Sequence, residues 1–134
     1  MDGITVLNVI KYKFRQQGSP VNIPMQKRGT FQAELTDDGI RVDNLGSQLL
    51  LPWIVFQEAI CVLIRNDGRA VRGNAMNAKL GEEELPLDSI EGHIAHVVYG
   101  KKVGETVFRR IIPIAGILIW AGVCEAAPGE LILS

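Results

Sequence analysis

From Val107 to Val123 the chain is almost wholly apolar, interrupted only by Arg109 and Arg110. Its uncharged part, residues 111–124, is 14 residues long, short of the roughly 20 that a membrane-spanning helix needs. Such a segment must be enclosed by the rest of the protein. A second uncharged stretch of 14, residues 44–57, carries the same requirement. At 134 residues the chain has the length of one domain, typically about 100–150 residues, so both stretches are expected in one core. A composition of 47% hydrophobic and 22% charged residues supplies that core and excludes wholesale disorder. The conformation of the run is ambiguous. Five isoleucines and Pro113 favour strand, whereas its length favours a helix over 107–122, capped by Thr106 and kinked or restarted at Pro113.

The rest of the chain is punctuated more clearly. Residues 10–15, Ile-Lys-Tyr-Lys-Phe-Arg, alternate apolar and cationic, which reads as a strand over about 4–15. Gly18-Ser19-Pro20 then turns the chain into a short extended piece at 21–25. Alternation on both sides of Thr36-Asp37-Asp38-Gly39 predicts a β-hairpin, with Phe31 and Leu35 on one face. After Gly46 the period lengthens. Pro52 suits a first helical turn and Gly68 a residue past a helix end; between them Trp53, Phe56, Ile60, Leu63 and Ile64 share a face, giving a helix at about 52–66. A short helix before Gly81 is compatible with residues 75–80. Asp88 and Glu91 have capping-box spacing ahead of the stripe Ile90, Ile94, Val97 and Val98, so a helix is expected at 89–99, capped by Asp88 or Ser89. The tail reads as a hairpin turning at Pro128-Gly129. Trp53, Phe56, Ile60, Ile94 and Trp120 are the expected core anchors.

Three helices followed by a hairpin is the order of a winged helix-turn-helix. The stretch from Val107-Phe108-Arg109-Arg110 to Trp120-Ala121-Gly122-Val123, followed by Gly129-Glu130-Leu131-Ile132-Leu133, resembles the end of the winged-helix domain at the amino terminus of Mrr-type restriction endonucleases. The resemblance covers residues 52–134 at most and implies contact with double-stranded DNA. The nuclease domain of such a family needs an acidic residue and a lysine one position apart. No Asp, Glu or Gln here is followed by any residue and then Lys, so nuclease activity is not expected. The fold expectation is therefore α+β, a single compact unit. Within it, residues 1–46 form an antiparallel β-segment and residues 47–134 a winged-helix-like bundle.

A net charge of -1 excludes a global positive field, so any nucleic-acid surface must be a local patch. Two patches qualify. Lys101, Lys102, Arg109 and Arg110, with Thr106 between them, straddle the start of the expected recognition helix, where arginine reads guanine and lysine holds phosphate. Arg69, Arg72 and Asn74 form a second set suited to backbone contacts. His93 and His96 are three apart but lack a zinc-protease signature, and read as a packed and a surface histidine. No glycine-rich phosphate loop, nucleophile elbow or metal-spaced cysteine set is present, so no catalytic residue, metal or cofactor is expected. Cys61 and Cys124, each in an apolar run, are expected to be buried free thiols in a reducing cytoplasm. The expected activity is non-enzymatic DNA binding, as a regulator or the targeting part of a larger system. The alternative is a protein-interaction or self-association module, and no membrane partner is expected.

Overall fold

The computed structural model describes residues 2–134 and is an α+β protein. Helix α1 (Gly3–Gln17) precedes a four-stranded antiparallel sheet of β1 (Val21–Pro24), β2 (Thr30–Leu35), β3 (Gly39–Val42) and β4 (Leu50–Pro52), in the order β1-β2-β3-β4. There follow α2 (Trp53–Arg65), β5 (Arg69–Val71), α3 (Ile90–Val97), α4 (Ile111–Trp120), β6 (Cys124–Ala127) and β7 (Glu130–Leu133). The last three strands form a second antiparallel sheet in the order β5-β7-β6. No described helix is long and apolar enough to cross a membrane.

Residues 4–15 are helical, contrary to the strand that their alternation predicts. Six residues of period two compete there with a longer stripe, Val6, Ile10 and Phe14, which recurs every four residues and is fully buried. Asp2 decides the start: its side chain accepts the Thr5 N–H at 2.7 Å, as an N-cap does. The β2–β3 hairpin forms as the pattern requires, with Glu34 opposite Arg41 and with Phe31 and Ala33 buried.

Helix α4 is shorter than residues 107–122 and starts at Ile111. Pro113 therefore lies in its first turn, where the N–H it lacks would have had no intrahelical partner, and no interior bond is lost. Thr106 is an exposed loop residue and caps nothing. Residues 75–77 form a turn rather than a helix, and Leu80 instead joins Leu85, Ala95 and Val107 in a small satellite core.

The main core draws on both segments, from Val6, Ile10 and Phe14 of α1 to Val123, Cys124 and Leu131 near the carboxyl end. Helix α4 packs on the first sheet so closely that a Cβ on Gly116 would sit 2.8 Å from Phe31 Cε1. Phe56, Ile60 and Ile94 are fully buried, as their stripes require. Trp53 and Trp120 are only half-buried. The Trp53 indole N–H must reach a partner, the Asp37 carbonyl at 2.9 Å, and the Lys11 ammonium lies 4.9 Å above the ring. Cys124 is buried but Cys61 is exposed. It lies on the solvent stripe of α2 with Ile54, Ile64 and Arg65, since helical phase, and not the apolarity of neighbours, sets exposure.

Candidate functional site

Helices α3 and α4 meet through a buried carboxylate. Ser89 caps α3, accepting the Gly92 N–H at 3.0 Å, while Asp88 turns outward to Arg65. The Asp88–Glu91 capping box does not form, because Glu91 points the other way. Its Oε1 accepts the N–H groups of Arg110 at 2.6 Å and Ile111 at 3.0 Å, closing the amino end of α4. Glu91 is fully buried and its Oε2 has no partner, so desolvation pushes its pKa up to about 7 against the opposing pull of those two N–H groups.

Arg110 is drawn into the same junction. Its guanidinium lies 3.6 Å from the Tyr99 ring centroid and 4.8 Å from that of Phe108, and it donates to Gln48 Oε1 at 2.7 Å. With 7% of its surface exposed it ties the α3–α4 connection to the β3–β4 loop and presents nothing to a groove of DNA. Helix α4 carries no polar side chain over Ile111–Ile119, its one donor is the half-buried Trp120 indole at its carboxyl end, and most of its body is buried. Sequence spacing gives it the place of a recognition helix, but burial leaves it no group with which to read a base edge.

The chemistry gathers beside α4 instead, in a cleft of about 590 Å³ between the β1–β2 turn, the loop after β5 and the amino end of α4. Its floor is apolar, built by Met25, Val71, Ile111, Ile112 and Ala115. Lys27, Arg28, Arg72 and Arg109 supply positive charge, with Asn74 among them and Glu83 and Glu84 also in the wall. None of the four cations forms an ion pair among the described residues. Arg72 is half-buried and donates from Nε to the Glu130 carbonyl at 3.1 Å; burial holds its pKa below the ordinary guanidinium value. The Arg109 Nε is buried without a partner. Gly73 shapes the wall: its φ is +86°, and a Cβ there would lie 2.6 Å from Ser89 Oγ.

The cleft thus unites Arg72, Asn74 and Arg109, one from the first expected patch and two from the second. Arg69 does not line the cleft and pairs with Glu130 at 2.6 Å. Lys101, Lys102 and Thr106 do not line the cleft. Their loop is closed on itself by the Lys102 N–H on Glu105 Oε1 at 2.6 Å and held to the satellite core by the Leu80 N–H on the Glu105 carbonyl at 3.0 Å. His93 contacts Glu58 Oε1 at 2.8 Å across α2 and α3, and His96 contacts the Lys101 carbonyl at 2.8 Å. Sequence reasoning missed Lys27 and Arg28. The available signal was an adjacent basic pair followed by Gly29, in a turn between two short extended segments.

Comparison with family models, with curated proteins and with solved structures finds no match to this chain.

Proposed function

We propose that the protein is a non-enzymatic DNA-binding module of the winged-helix kind that holds the phosphate backbone at the cationic cleft and does not insert α4 into the major groove. The observation that carries this reading is the convergence of Lys27, Arg28, Arg72 and Arg109, from both segments of the chain, without carboxylate partners. The order α2-β5-α3-α4-β6-β7, with the sheet order β5-β7-β6, supports the winged-helix part of the reading. Lys27 and Arg28 are exposed at the rim and free to reach phosphate, whereas the half-buried Arg72 and Arg109 hold charge deeper in the cleft. Phosphate contacts carry no sequence information, so binding should be nearly independent of sequence.

Fluorescence anisotropy of random and fixed-sequence duplexes over a salt series tests this. Comparable affinities that fall linearly with log salt are expected. Absence of a salt-dependent shift at low ionic strength would remove the proposal. A second reading, protein interaction or self-association, draws on Leu49, Leu50 and Ile54, exposed aliphatic side chains at the outer strand β4 and the start of α2. Sedimentation of the wild type against Ile54→Lys checks it, with a concentration-dependent mass lost in the variant as the outcome that reading requires.

A further inference from the structure

Backbone phosphate needs only charge at a surface, yet the cleft has depth and an apolar floor that a phosphate contact does not use. Its volume of about 590 Å³ lies within the range of about 300–1,000 Å³ usual for small-molecule sites. The floor is formed by Val71 and the α4 residues Ile111, Ile112 and Ala115. These lie beside two half-buried guanidinium groups, of which Arg72 donates to the Glu130 carbonyl and Arg109 to Met76 Sδ while neither meets a carboxylate. Glu83 and Glu84 are exposed, so solvent screens them, whereas Arg72 and Arg109 act through a less polar medium. Cations outnumber carboxylates in the wall four to two. A neutral apolar ligand would leave the guanidinium groups unanswered, and a small inorganic anion would leave the floor wet.

We propose that the cleft binds a small amphipathic anion, an aliphatic body against Ile112 and Ala115 with a carboxylate or phosphate monoester head on Arg109 and Arg72. The inference rests on the DNA reading only in sharing those two arginines. Both probes are titrated without DNA, so either idea can fail while the other stands.

Isothermal titration calorimetry with octanoate and with octyl phosphate decides between the two heads, and acetate and 1-octanol report head and body alone. One-to-one binding of at least one amphiphile is expected, with acetate and 1-octanol each weaker by about tenfold or more. Arg109→Gln should weaken the amphiphile by about tenfold and leave 1-octanol unchanged. Ile112→Asp, at a half-exposed floor position, should abolish amphiphile binding in a protein whose circular dichroism is that of wild type. Amphiphiles binding no better than acetate or 1-octanol would overturn the proposal. So would unchanged affinity in a folded Arg109→Gln or Ile112→Asp protein.

Discussion

Helices α3 and α4 follow one another in the chain and are joined through Glu91, yet they are built on opposite principles. Helix α3 caps itself through Ser89 and keeps His96 and Val97 exposed. Helix α4 has no side-chain cap of its own; its amino end is closed by Glu91 of α3, its body lies under the first sheet, and it has no polar side chain before Trp120. One helix is specified locally and the other by its surroundings. A helix of the second kind can organise a site at its flanks but cannot read one with its face.

The largest expected effect falls on the borrowed cap. Glu91→Ala removes the acceptor of two buried N–H groups and should cost about 2–5 kcal/mol in a denaturant melt. Glu91→Gln keeps an acceptor and mimics the protonated acid. The folded-state pKa of about 7 lies above the ordinary glutamate value of 4.5. Between these values the folded protein keeps a proton that the unfolded chain has released. Stability should therefore fall by about 3 kcal/mol as pH rises from 4.5 through 7, then level off. That slope should vanish in Glu91→Gln; if it persists, another group carries it. Next, Gly116→Ala should cost about 1–3 kcal/mol by overpacking against Phe31, and a Phe31→Leu partner should make the double change less than additive. Additive losses would mean that α4 and the sheet are not in close contact there.

The self-contained helix should respond more mildly. Ser89→Ala should cost about 1 kcal/mol, less than Glu91→Ala; the reverse order would break the contrast between the two helices. The smallest effect belongs to Arg65→Ala. It breaks the ion pair with Asp88, but both side chains are about half exposed, and exposed pairs contribute at most about 1 kcal/mol.

The same contrast sets what could be read from the sequence. The β2–β3 hairpin, α2, α3 and the closing hairpin have local signatures: turn residues, a serine cap, buried stripes and Pro128-Gly129. Residues 4–15 misled because six alternating residues hid a longer stripe, Val6, Ile10 and Phe14, whose period shows only over the full helix. The site was half legible. Arg72, Asn74 and Arg109 were visible as polar residues beside apolar segments, but nothing local told Arg109 from Arg110. One lines a cleft, and the other is clamped by Tyr99, Phe108 and Gln48, the last of these 62 positions away. Lys27 and Arg28 join the cleft only because the first sheet folds over α4, a tertiary fact with no local signature.

The central claim, that anion binding belongs to the cleft and not to the loop before α4, is tested most directly by the salt dependence of duplex binding in two double variants. Lys27→Ala with Arg28→Ala should lower the slope of log affinity against log salt by about two, while Lys101→Ala with Lys102→Ala leaves it within error of wild type. A slope reduced only by the Lys101 and Lys102 changes would contradict the account and move the interface to the loop before α4.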